Sequence, residues 1–137
     1  MSNGHTTIVL PPDVVALLRR GNPCVLTTLM PDGSPQLTQV WVDTDGNNVL
    51  INTGAGHQKA LNVVRDPRVA VAVLDAEALH RYVAIRGRVV DITGDGAAEH
   101  IDKLSQRYTG RPYPWYGGRD QRRVIMTIAP RSVHRVA

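Results

Sequence analysis

A chain of 137 residues, 42% of them hydrophobic, is long enough for one domain with one sizeable core, and no Ser/Gly linker, charge block or internal repeat divides it, so a single domain over 1–137 is expected. Phenylalanine is absent and aromatics reach only 4%, which leaves Val, Leu, Ile and Ala to build the core, and the abundance of valine favours sheet. Sixteen Lys and Arg against twelve Asp and Glu leave a net charge of +4, which points to an anionic partner; the basic residues are scattered, with no run longer than the pairs at 19–20 and 122–123, which argues against a dedicated nucleic-acid surface.

In chain order, "PPDVVALLRRG" reads as a short helix that Asp13 can cap, with Val14, Leu17 and Leu18 on one face and Gly21 beyond its end. "PCVLTTLM", the turn "PDGS" and the alternating "PQLTQVWVD" form a hairpin over 23–43, in which Leu37, Gln39 and Trp41 face one way and Thr38, Val40 and Val42 the other. A turn at 43–48 leads to the strand "VLINT", and "HQKALNVVRD" is a second short helix with Ala60, Leu61 and Val64 on one face, stopped by Pro67. Two long strands follow at 68–75 and 81–93. A third helix carries Ile101, Leu104 and Tyr108 at helical spacing and ends at Gly110. A loop rich in Pro, Gly and aromatics precedes a closing strand over 122–136.

Six strands with mostly hairpin-length connections imply a mainly β fold, an antiparallel barrel with short helices in its crossovers. No G-x-G-x-x-G follows a strand and no G-x-x-x-x-G-K-[ST] occurs, so a dinucleotide or P-loop site has no support. The single cysteine, Cys24, allows no disulfide within the chain and no thiolate metal site, and it reads as a small buried hydrophobe. The five histidines show no H-x-x-x-H spacing, which argues against a metal site. No leader-like start and no apolar stretch of membrane-spanning length stand out, so a cytoplasmic protein without a membrane span is expected.

The stretch "TGAGHQKALNVVRDPRVAV" carries the most chemistry. A helix N-terminus offers free N–H groups and partial positive charge, Lys59 adds a full charge, and Gly54 and Gly56 would let the backbone approach an anion. Together these read as a phosphate cradle. Lys59 on position alone could equally be a solvated helix lysine, and His57 a surface residue. Arg65 and Arg68 could frame the turn around Asp66 or supply positive field, and Arg86 and Arg88 read as solvated strand residues.

With "TTLMPDGSPQLTQVWVD", "K-x-x-N-v-x-x-D-P-R-v" from Lys59 to Val69 and "YVAIRGRVVDIT" in this order, the chain resembles the pyridoxamine 5'-phosphate oxidase-like split β-barrel superfamily over roughly residues 13–136. Within that superfamily it resembles the short deazaflavin oxidoreductases, the B-type group that uses coenzyme F420. The resemblance implies a six-stranded antiparallel split β-barrel, FMN-binding-like, which pairs as a homodimer with a cofactor cleft between subunits. It places Thr53, His57, Lys59 and Asn62 at phosphate-contacting positions, and Gln36, Thr38, Gln39, Val40 and Trp41 where the ring system lies against the sheet. Tyr82 and Trp115 fall where the other subunit closes the cleft; Trp41 also reads as a core or interface aromatic, and Trp115 with Tyr116 as a lid or dimer contact. The implied activity is hydride transfer from reduced F420 to a conjugated acceptor of tetrapyrrole, quinone or enone type, with no protein nucleophile required. The alternative is an FMN- or haem-binding split barrel, acting as an FMN oxidoreductase or a carrier without turnover. Departures from the pattern are His57 where relatives often have Arg, Thr38 and Asp43 where FMN-using oxidases carry Arg and Lys, and a C-terminus without the Arg-containing motif of the longer oxidases. Vitamin B6 oxidation is therefore not expected.

Overall fold

The computed structural model describes residues 7–137; the first part of the expected leaderless N-terminus, residues 1–6, lies outside them. One seven-stranded sheet forms the molecule, every adjacent pair antiparallel, in the order β2-β1-β5-β6-β7-β4-β3. Its strands are β1 Cys24–Leu29, β2 Pro35–Val40, β3 Val42–Thr44, β4 Val49–Gly54, β5 Arg68–Leu74, β6 Tyr82–Thr93 and β7 Arg123–Val136, and its helices α1 Pro12–Leu18, α2 Gln58–Arg65 and α3 Ala97–Thr109. The two edge strands, β2 and β3, are joined through Trp41, so the sheet curls round on itself into a split barrel, as expected. Among the described residues, no helix is long and apolar enough to cross a membrane.

Seven strands replace the six expected because the ribbon over 35–44 changes partner at Trp41. Up to Val40 it pairs with β1, and from Val42 it pairs with β4. The Val42 N–H donates to the Tyr108 hydroxyl at 3.0 Å, which itself donates to the Asn22 carbonyl at 2.7 Å. The simple alternation therefore stops at Val40: Leu37 and Gln39 are exposed, while Val42, Asp43 and Thr44 are all buried. The hairpin accordingly ends at Val40 rather than at residue 43.

Two helix details differ from expectation. Pro11, not Asp13, occupies the N-cap of α1 and its carbonyl accepts from Val14 and Val15, whereas Asp13 pairs with Arg135 at 3.0 Å. In α2 the buried residues are Ala60, Asn62 and Val63, leaving Leu61 and Val64 exposed. Two apolar stripes compete at i, i+3 spacing, and the buried one lets the Asn62 amide reach Thr28 and Gln36 inside the barrel, at 3.0 and 3.2 Å.

The core is aliphatic, with Leu18, Leu26, Ile51, Ile85, Met126 and Ile128 among its fully buried side chains. Cys24 sits in it, and burial pushes its thiol up to about 12, consistent with an inert core residue. A second cluster, Ile101, Leu104 and Tyr113, packs against Trp41, Tyr108 and Trp115 on the α3 side of the sheet. Gly87 lies at an irregularity between β6 and β7, where an added Cβ would stand 2.4 Å from the Ala129 carbonyl oxygen and 2.8 Å from Ile128. Because the obstacle is backbone, Gly87→Ala is expected to cost about 1–3 kcal/mol of stability, measured by urea unfolding. An unchanged midpoint would show that the strand can shift freely there.

Candidate functional site

Strand β4 runs directly into α2, and the last turn of β4 pairs with the start of β7, Gly54 opposite Arg123. That register brings residues 64 to 71 positions apart in sequence to one place. A cavity of about 350 Å³ opens there, between the β2–β3 junction, the β4–α2 turn and α3. Of the predicted cofactor residues, Gln39, Val40, Trp41, Thr53, His57 and Lys59 line it. A larger cavity of about 590 Å³, over Thr27, Ala70, Arg86 and Ser132, holds none of them.

His57 is the N-cap of α2 but makes no side-chain cap bond; its ring turns back to the strand. Nδ1 lies 3.2 Å from the Thr53 hydroxyl and Nε2 lies 3.2 Å from the Gln121 amide nitrogen. The Gln121 oxygen accepts from Arg123 at 3.4 Å, so its NH₂ faces His57, and the imidazole proton sits on Nδ1. Without a side-chain cap, the first amides of α2 remain open to an anion. Gly54 serves a different purpose from the expected backbone approach: a Cβ there would stand 2.9 Å from the His57 ring, so its absence makes room for the imidazole. Nothing lies within 4 Å of a Cβ built on Gly56, so that glycine is not required by space.

Lys59 is half-buried beside the cavity, and burial, then the nearby Arg123, holds its ammonium below the ordinary lysine value. The same causes act on His57, lowered by burial and by Lys59 and Arg123, and burial lowers Arg123 too. Three basic groups thus press on one another around one cavity. Among the described residues, the ion pairs involve none of them; the carboxylates lie elsewhere. A cation cluster left without an acid partner can receive an external anion.

Arg123 was not among the residues expected from sequence. It starts the last strand, in "QRRVIMTI", where period-two alternation places one of two adjacent arginines against the sheet. Its Nε donates to Asn52 Oδ1 at 2.9 Å, and its guanidinium stands over the Tyr113 ring at 5.3 Å. Tyr113 lies edge-on to Trp41, Trp115 and Tyr116, and Trp41 stacks on Tyr108 at 5.3 Å. Nearly all the chain's aromatics therefore form one wall beside the cations, a surface suited to a flat ring system.

The remaining predicted residues lie off this cavity. Asn62 is wholly buried: its Nδ2 donates to Thr28, Gln36 and Met30, and its Oδ1 accepts from Gln58 and Arg65. It anchors α2 to the sheet. Gln36 belongs to this network, and Thr38 is a half-buried residue of β2. Tyr82 pairs with Val136, at the other end of β7 from Arg123, some 40 Å along the strand. Trp115 packs on Tyr113 from the loop after α3, with a left-handed backbone at φ 55° and Arg119 over its ring. Arg68 pairs with Asp66 at 2.7 Å and Arg65 donates to the Leu29 carbonyl, so these two frame the turn.

Comparison with known proteins follows the same outline. The family model described as pyridoxamine 5'-phosphate oxidase matches residues 10–137. The F420H(2)-dependent biliverdin reductase of Mycobacterium tuberculosis is 30% identical over 132 residues, covering 93% of this chain and 89% of that protein. Among solved structures, an F420 reductase superposes with a TM-score of 0.80 at 31% identity, covering 91% of this chain and 98% of that one. A conserved hypothetical protein of Mycobacterium tuberculosis superposes at 0.72 with 29% identity, over 98% of this chain and 89% of that one. With its split barrel, its order of elements and a match over nearly its whole length, the chain belongs to the pyridoxamine 5'-phosphate oxidase family.

Proposed function

We propose that this chain is an F420-dependent oxidoreductase that reduces a conjugated small molecule of tetrapyrrole, quinone or enone type. The observation that carries the reading is the cluster of His57, Lys59 and Arg123 around one cavity beside an aromatic wall, with no acid partner among the described residues. A coenzyme with an anionic tail and a flat ring fits that pairing, and two similar proteins are named for F420. When bound, F420 supplies the hydride. The chain's own part is to hold the anion with Lys59, Arg123 and the first amides of α2, and to seat a ring edge near Gln39, Val40 and Trp41. No side chain at the cavity is assigned as a nucleophile.

At about 350 Å³ the cavity is at the lower end for a ligand of this size, so one subunit has room for the anionic end and an adjoining ring edge. A homodimer would complete the cleft. In that arrangement Tyr82, remote from the cavity within its own subunit, would reach it from the second copy.

The test is a fluorescence titration of the purified protein with F420 and with FMN, followed by loss of reduced-F420 absorbance on adding acceptors. F420 binding with acceptor-dependent oxidation is expected; tight FMN binding without F420 binding would overturn the reading. A pH dependence follows as well. His57 is neutral above its lowered pKa, and a bound anion favours its charged form, so binding takes up a proton. F420 affinity should therefore rise as pH falls through the range where His57 takes up its proton, which in the empty protein lies below the ordinary histidine range, by about 1 kcal/mol, the energy of one contact in a water-like dielectric. His57→Asn should flatten that slope; an identical slope in the variant would remove His57 from the site.

A further inference from the structure

Arg123 is tied to the core by a chain of hydrogen bonds with a single direction. Its Nε donates to Asn52 Oδ1 at 2.9 Å; Asn52 Nδ2 donates to His100 Nδ1 at 3.2 Å and to the Ala97 carbonyl at 2.8 Å. His100 Nε2 then donates to Asp43 Oδ2 at 3.0 Å, and Arg107 donates to Asp43 Oδ1 at 2.8 Å. Asn52 and Asp43 are buried, and the His100 side chain is only 10% exposed.

The two ends fix everything between them. A guanidinium can only donate, so the Asn52 oxygen must face Arg123 and its NH₂ must face His100. The ring nitrogen it meets, Nδ1, must then be bare. The imidazole proton lies on Nε2, toward a carboxylate that only accepts. Reversing either the amide or the ring would set donor against donor. The remaining Arg123 contacts are longer, Nη1 to Tyr113 at 3.3 Å and to Gln121 at 3.4 Å, and Nη2 has no bond to the described residues. The shortest bond on the guanidinium thus orients it from behind while leaving a face for a ligand.

We propose that Asn52, His100 and Asp43 form a positioning relay that holds the Arg123 guanidinium toward the anionic group of the coenzyme; this rests on reading His57, Lys59 and Arg123 as the anion site. An arginine held in advance loses its rotamer freedom on folding instead of on binding, which raises affinity without any contact between the relay and the ligand. The groups facing His100 are Asp43 from β3 and Asn52 from β4, with Arg107 of α3 behind Asp43.

The test pairs F420 titrations with NMR on the full chain. His100→Leu is expected to weaken F420 binding about fivefold in the native background and less than about twofold when Arg123→Gln is already present. An equal loss in both backgrounds would mean that His100 acts on the fold and would overturn the relay. Nitrogen-15 spectra of the native protein should show His100 protonated on Nε2 with Nδ1 bare; the opposite tautomer would overturn it. If His100→Leu does not fold, Asn52→Ala decides in the same two backgrounds: F420 binding should weaken about fivefold in the native background and less than about twofold when Arg123→Gln is already present. An equal loss in both backgrounds would defeat the proposal. Failure of the native protein to bind F420 would defeat the functional reading instead, and the NMR measurement would still judge the relay's geometry.

Discussion

Asp43→Ala should cost the fold about 3–5 kcal/mol, because it leaves His100 and Arg107 facing a vacated position in the interior. Burial alone would push the Asp43 carboxyl up, but the hydrogen bonds from His100 and Arg107 outweigh it and hold the group well below the usual carboxylate range. The sign of the pH dependence follows. A carboxyl whose folded pKa is depressed stabilises the protein above its unfolded value, near 4, and loses that contribution as pH falls through the folded value. Acid unfolding of the native protein should therefore steepen below about pH 4, and the variant should lose part of that slope. Urea midpoints between pH 7 and pH 3 measure both effects; a variant as stable as the native protein at pH 7 would show that this buried ion cluster contributes nothing.

Lys59→Ala should weaken F420 binding by about 1.5–3 kcal/mol, the range for a hydrogen bond to a charged group. The loss should not be offset, since neighbouring Arg123 is fixed by Asn52 and cannot move into the gap without breaking that bond. Stability should change in the opposite sense. Removing Lys59 relieves the repulsion it shares with Arg123 and His57, so the empty variant should be as stable as the native protein or slightly more so. Weaker binding together with undiminished stability is the pattern of a ligand-binding residue. A surface lysine would leave F420 binding unchanged.

The barrel was legible because its strands are long, valine-rich and separated by strong turn signals. The break at Trp41 was not, since it depends on Tyr108, which is 66 positions away from Val42 and draws off its N–H. Lys59 and His57, which line the cavity, were left open by their neighbourhood of strand, small residues and helix start, and only the resemblance singled them out. Arg123 could not be placed from sequence, because only the β4–β7 register sets it opposite Gly54. Asn62 shows the converse difficulty. A polar residue inside a motif reads as a ligand, yet its amide satisfies a network between α2 and the first two strands. Asp43 stood out only as a departure from the oxidase pattern; its partners, His100 and Arg107, lie 57 and 64 positions further on.

The central claim is that the turn entering α2, with Lys59 and Arg123, seats the anionic end of the coenzyme. A crystal structure of the protein with F420 bound tests it most directly. The phosphate is predicted within about 3 Å of Lys59 Nζ and the Arg123 guanidinium, with the ring system against Trp41 and its neighbours. A phosphate bound at any other place, out of contact with Lys59 and Arg123, would contradict it.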